Sequence, residues 1–158
     1  MVKGLYIHIP FCHHICHYCD FNKVFFKDQP VDAYIDSLGK ELALWKQEGA
    51  LDQPLETIFL GGGTPTSLDP DQLRKLLAYI HEFVPMAENL EWTSEANPDE
   101  LTKEKMEVLF AGGVNRISMG VQTFDADLLQ RLGRTHSNDD VHRAVKEARE
   151  VGFTNISF

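Results

Sequence analysis

Three cysteines, Cys12, Cys16 and Cys19, fall within eight residues in the stretch Ile9-Pro-Phe-Cys-His-His-Ile-Cys-His-Tyr-Cys-Asp20, and the chain has no others. Spacings of four and three on one short loop let three thiolates hold three corners of an inorganic cluster. A [4Fe–4S] cluster is ordinarily held by four cysteines. A three-cysteine loop therefore predicts one iron left open for a ligand that is not protein. The alternative is zinc held as Cys3His, with His13, His14 or His17 as fourth ligand. Structural zinc sites usually pair two short Cys/His spacings on separate segments, which this loop does not do, so the histidines are expected to be solvated.

Other residues able to do chemistry lie further along. The run Gly61-Gly-Gly-Thr-Pro-Thr66 lets backbone N–H and C=O groups approach a ligand closely. It lacks the lysine of a P-loop and the spacing of a dinucleotide fingerprint, so phosphate cradling is the poorer reading. Glu95, Asn97, Gln122 and Arg134 follow. Each has an ordinary structural reading: a turn for the glycines, a solvent-facing charge for Glu95, a helix-end cation for Arg134, a packing residue for Tyr18. Their value depends on being brought together.

The elements that would do so alternate. Gly4 to Ile9 reads as a strand leading into the cysteine loop. Val31 to Glu48 reads as a helix with Val31, Tyr34, Ile35, Leu38, Leu42 and Trp45 on one stripe. Leu55 to Leu60 is a second strand. Asp69-Pro70-Asp71-Gln72 has the form of an N-cap, a first-turn proline and a capping-box glutamine, opening a helix that buries Leu73, Leu76, Leu77, Ile80 and Val84. Leu90 to Glu95 is a third strand and Thr102 to Phe110 a helix ended by Gly112-Gly113. Val114 to Met119 is a fourth strand. Helices over Asp125 to Leu132 and Ser137 to Val151 follow, the second with Val141, Ala144, Val145 and Ala148 inward. Phe153 to Phe158 begins a fifth strand.

Strand and helix alternating at intervals of roughly thirty residues indicate βαβ units and a parallel sheet. In parallel α/β barrels, function sits at the carboxyl ends of the strands. The cysteine loop follows strand one, the glycine run strand two, Glu95 and Asn97 end strand three, and Gln122 and Arg134 follow strand four. All fall on one rim. Four units and a fifth strand do not close a barrel of eight, so the chain is expected to be the N-terminal part of a longer protein.

Composition sets limits. At 158 residues, with 43% hydrophobic and 25% charged residues, the chain can bury one core. A formal charge of −9 and the lack of a polybasic stripe argue against nucleic acid and anionic membrane as partners. No apolar run reaches the ~20 residues of a membrane span. The N-terminus lacks the succession of a signal peptide, so a cytoplasmic location, where thiols stay reduced, is expected.

Taken together, the cysteine loop and GGGTPT resemble the radical S-adenosylmethionine (SAM) superfamily. Tyr6-Ile-His-Ile-Pro-Phe-Cys12 and Ser118-Met-Gly-Val-Gln-Thr-Phe124 resemble the oxygen-independent coproporphyrinogen III oxidase family within it. The resemblance covers essentially the whole chain. It implies a partial, three-quarter, TIM-like parallel βα barrel, of which residues 1–158 would be the N-terminal portion, truncated within or after the fifth strand, with a C-terminal domain outside this chain. The oxidase proper carries a fourth cysteine two residues after the third. Here Cys19-Asp-Phe-Asn22 is similar instead to the HemW-type haem chaperone branch.

By that resemblance, the protein would bind a [4Fe–4S] cluster, SAM and haem, would take electrons from a donor, and would pass haem to acceptor proteins. Porphyrin biosynthesis by radical oxidative decarboxylation is the alternative. Cys12, Cys16 and Cys19 would ligate the cluster, with Tyr6 and Tyr18 flanking it. Gly62, Gly63 and Thr64 would meet the methionine end of SAM, Glu95 and Gln122 would line its pocket, and Arg134 would meet its carboxylate.

Overall fold

The computed structural model describes residues 2–158. Its elements are β1 (Gly4–Ile9), β2 (Phe11–Cys12), β3 (Val24–Phe25), α1 (Val31–Gln47), β4 (Leu55–Gly62), α2 (Pro70–Phe83), β5 (Met86–Ala96), α3 (Lys103–Ala111), β6 (Arg116–Met119), α4 (Ala126–Leu132), α5 (Asn138–Val151) and β7 (Asn155–Ser157). Five strands form one sheet in the order β1-β4-β5-β6-β7, and every neighbouring pair is parallel. This is the open part of a parallel βα barrel.

Side chains alternate across each strand, and the two faces differ. Ile7, Ile9, Ile58, Leu60, Trp92, Ile117 and Met119 are buried, in one core with Ile35 and Leu42 of α1, Leu73, Leu76 and Ile80 of α2, Met106 and Leu109 of α3, and Ala144 and Ala148 of α5. The helices follow one another as the strands do, α1 against α2, α2 against α3 and α3 against α5. The opposite face carries Tyr6, His8, Phe59, Glu95, Arg116 and Ser118, none of them fully buried.

Local signals behave as the sequence predicts. Asp69 accepts the Gln72 backbone N–H while the Gln72 side chain accepts the Asp69 N–H, completing the capping box, and Pro70 occupies the first turn. Ser137 and Asp140 build a second capping box at α5. Three details differ. Trp45 is 47% exposed rather than part of the buried stripe of α1, and its indole donates to Glu41 one turn back. Val145 is only partly buried against the core. β5 begins at Met86, four residues earlier than its apolar run, because Leu55 and Met86 pair before an irregularity in which β5 carries the extra residues, Thr57 pairing next with Glu91.

Between α1 and α2 the decisive residue is Gly39. A β-carbon there would lie 2.7–2.8 Å from three ring atoms of Tyr79, whose hydroxyl donates to Asp36 at 2.8 Å. The alanine of Gly39→Ala would gain up to about 1 kcal/mol in helix propensity, but wedging a fixed ring costs about 1–3 kcal/mol. We therefore expect Gly39→Ala to be destabilising by about 1 kcal/mol or more in urea denaturation followed by far-ultraviolet circular dichroism. An unchanged or raised midpoint would mean that the Tyr79 ring moves freely.

Candidate functional site

The cysteine loop is closed at its base. Val24 N–H donates to Pro10 O at 2.8 Å and Phe26 N–H to Cys12 O at 2.9 Å, so that β2 and β3 form a two-stranded parallel ribbon which the sequence does not announce. Residues 13–23 project from it. Three histidines tie this projection down. His8 Nε2 bonds Asn22 O at 2.7 Å, His13 Nε2 bonds Ser67 O at 3.1 Å, and His17 Nδ1 bonds Arg131 O at 3.0 Å. A carbonyl only accepts, so each of these nitrogens carries its hydrogen. His13 and His17 are exposed, as expected, yet they are tethers rather than freely solvated groups. His17 N–H adds a bond to Leu132 O at 3.0 Å.

The glycine run leaves β4 alongside. Gly62 has φ +117°, a conformation that favours glycine. Gly63 N–H donates to Ile9 O at 2.8 Å, and a β-carbon on Gly63 would meet Pro10 O at 2.6 Å and Cys12 Sγ at 2.8 Å. Pro65–Ser67 then forms a 3₁₀ turn that buries Thr64, Thr66 and Ser67.

These loops meet around a cavity of about 550 Å³. All three cysteines line it, with Tyr18, Gly62, Gly63, Thr64, Glu95, Gln122 and Arg134. Of the cluster and SAM residues that the resemblance implies, Tyr6 alone does not: its ring stacks on Phe59 with centroids 6.0 Å apart, and its hydroxyl bonds His8 Nδ1 at 3.0 Å. Because His8 Nε2 holds the ring hydrogen, the Tyr6 O–H is the donor. Tyr6 lies along the open sheet face, where its ring and the Glu95 carboxylate both border Gly61.

Polar groups converge on the sulfurs. The Thr64 hydroxyl donates to Cys12 Sγ at 3.6 Å. Arg134 Nη1 donates to Cys16 Sγ at 3.3 Å, and its Nη2 donates to Asn97 Oδ1 at 2.9 Å and Gly120 O at 2.5 Å. Arg134 is thus no loose helix-end cation. Its buried Nε finds no partner among the described residues. Gln122 adopts φ +66°, a left-handed turn that carries the chain from β6 past the cavity. Asn97 sits among these groups, and nothing in its residue type marks it.

Burial sets the protonation of the site. The Cys12 thiol is pushed above its ordinary range, chiefly by burial, with the Thr64 hydrogen bond opposing. Tyr18 is likewise raised by burial, against the pull of Arg134. Glu95 is raised by burial despite accepting Gly62 N–H at 3.2 Å.

The donor set can be weighed for what it would hold. Three thiols face one cavity, two of them already receiving hydrogen bonds, beside a glycine that leaves room for sulfur. Among the described residues no three His, Cys, Asp or Glu side chains gather closely enough for a single metal ion. A cube of iron and sulfide spaces its ligands wider than one ion does. Three thiol donors on one loop suit an iron–sulfur cluster.

The radical SAM superfamily model matches residues 6–158. The chain is 52% identical, over 99% of its length, to a protein named heme chaperone HemW from Bacillus subtilis (strain 168), of which it covers 41%. It is 36% identical, over its whole length, to an oxygen-independent coproporphyrinogen III oxidase of Helicobacter pylori (strain J99), covering 35% of that protein. The solved structure of coproporphyrinogen III oxidase (HemN) from Escherichia coli, a radical SAM enzyme, superposes with a TM-score of 0.89 at 32% identity, over 98% of this chain and 36% of that one. The chain thus spans about two fifths of the length of the curated relatives it matches. Among the described residues no helix is long and apolar enough to cross a membrane.

The electrostatics of Glu95 give a test. Its folded-state pKa lies above the unfolded one, so the ionised form costs stability; that cost is absent below the ordinary carboxylate range and grows as pH rises through it. Glu95→Gln keeps an acceptor for Gly62 N–H without the charge. Chemical denaturation should find it more stable than the parent near pH 7, with the gain shrinking towards zero below about pH 4. A gain independent of pH would show that burial of charge is not the cause.

Proposed function

The chain belongs to the radical SAM superfamily, and from that premise we propose that it is the N-terminal portion of the core domain of a haem chaperone. In this reading it binds a [4Fe–4S] cluster, SAM and haem, and delivers haem to acceptor proteins. The supporting observation is the cavity that gathers Cys12, Cys16 and Cys19 with the glycine loop and Arg134. A cytoplasmic setting, which keeps the thiols reduced, and an electron donor for the cluster belong to the same proposal.

The residues divide the work. Cys12, Cys16 and Cys19 would hold the cluster, and three thiolates would leave one iron open to a ligand that is not protein. Gly62 and Gly63 bring backbone close to the methionine end, with Thr64 beside them. Arg134 has an unpartnered Nε–H beside the Nη2 that meets Asn97 and Gly120, and its planar fork suits a carboxylate. Glu95, held in part by Gly62 N–H, is an acceptor for the amino group, and Gln122 and Tyr18 close the rim. When bound, cluster and SAM supply one-electron chemistry, while the protein supplies orientation and exclusion of water.

Phe21 favours the chaperone over the oxidase. It stands two residues after Cys19, where the resembling oxidases carry a fourth cysteine, and it lines the cavity with 68% of its surface exposed. An aromatic rim of Phe21, Phe124 and Phe158 suits a flat apolar macrocycle better than it suits a further ligand.

Anaerobically reconstituted full-length protein should bind haem stably, pass it to an apo-acceptor, and leave coproporphyrinogen III unchanged in the presence of SAM and reductant. Formation of the decarboxylated product would select the oxidase. Cys16→Ser should cut bound iron and sulfide to a small fraction of the parent's; full retention would remove the cluster from the proposal.

A further inference from the structure

We infer that Asn97 is a positioning residue that sets the reduction potential of the cluster by aiming two hydrogen-bond donors at two of its thiolate ligands; this rests on the cluster reading above. Asn97 follows directly on β5 and touches no sulfur itself. Its carboxamide is nevertheless the joint between two side chains that donate to cysteine sulfurs, Thr64 and Arg134.

Directionality makes the joint specific. Asn97 Nδ2 donates to Thr64 Oγ1 at 3.3 Å. With a lone pair of that oxygen engaged, the Thr64 hydroxyl hydrogen is turned to Cys12 Sγ, 3.6 Å away. Asn97 Oδ1 accepts from Arg134 Nη2 at 2.9 Å, which orients the planar guanidinium so that Nη1 meets Cys16 Sγ at 3.3 Å. One amide thus uses its donor end towards Cys12 and its acceptor end towards Cys16. An amide has both ends; a carboxylate lacks the donor and an alkyl group lacks both.

The joint is itself held. Asn97 N–H donates to Thr66 Oγ1 at 3.3 Å, and its carbonyl accepts from Glu100 N–H and Leu101 N–H at 3.2 and 3.0 Å. Thr66 is fully buried, and Lys105 Nζ donates to its carbonyl at 2.6 Å. The backbone beneath the amide is therefore bonded on both sides, and the side chain is poised by it.

Hydrogen bonds to cluster sulfurs are one of the means by which a protein sets potential. They withdraw charge from the thiolates and favour the reduced, more negative state. Loss of both donors should lower the midpoint potential.

The test is an anaerobic redox titration of the reconstituted full-length protein, followed by electron paramagnetic resonance of the reduced cluster. Asn97→Ala should load iron and sulfide like the parent and shift its one-electron reduction equilibrium about tenfold towards the oxidised form, about 59 mV downward. Thr64→Val, which removes one donor and keeps the shape, should shift it in the same direction by less. The two changes combined should shift it by less than the sum of the singles, because one acts through the other. Potentials equal to the parent's in both loaded variants would overturn the inference, as would full additivity. If Asn97→Ala does not load, Thr64→Val decides by the same criterion. Failure of the parent itself to take up iron and sulfide would instead overturn the cluster reading, and with it this inference.

Discussion

Everything at the rim depends on one close approach, that of the glycine run at the end of β4 to the chain at the end of β1. The two strands pair in parallel with His8 opposite Gly61 and Ile9 opposite Gly62, so the loops that leave them start side by side. Gly63 then lies against Pro10 and Cys12 with no room for a β-carbon. That contact fixes Cys12 over the sheet and sets Thr64 beside its sulfur. Thr64 meets Asn97 from the next strand, and Asn97 meets Arg134 from beyond the one after. A side chain at residue 63 would displace the first member of this chain, and the later ones with it.

The same approach explains why an acidic protein can present a site suited to anionic sulfur. The surface carries a net −9, but the groups that reach the thiols are a hydroxyl and a guanidinium. Burial pushes the Cys12 thiol up, so on its own it is an inert, protonated group. A bound cation would reverse that balance, because ligation favours the thiolate. On the proposed reading, the site favours ligation over a free nucleophile.

Most of the architecture was legible in the sequence because its causes are local. Helix periodicity, the Asp69–Gln72 box and the apolar strand cores are set by neighbours in the chain. The grouping of the rim residues was legible too, since parallel topology sends every strand end to one side. What escaped the sequence was set at a distance. The β2–β3 ribbon requires residues 11 and 24 to meet, and the contacts of Tyr6 with His8 and Phe59 come from the pleat of the sheet and a neighbouring strand. The place of Asn97 on the rim is legible in the sequence, but the bonds of its amide to residues 64 and 134 are not. The histidines of the cysteine loop were read as solvated because their carbonyl partners are as far away as residue 131.

The span of these contacts has a consequence for biogenesis. Cys16 and Arg134 are separated by 118 positions, so the sulfur ligands emerge from the ribosome long before the residue that completes their surroundings. Loops of that length close slowly relative to local helices, and synthesis runs at about 5–20 residues per second. For several seconds each nascent molecule thus holds three adjacent thiols without their cage. On the proposed reading, insertion of the cluster belongs after translation of β6 and the helices that follow it, when the cage can first shut around what is inserted.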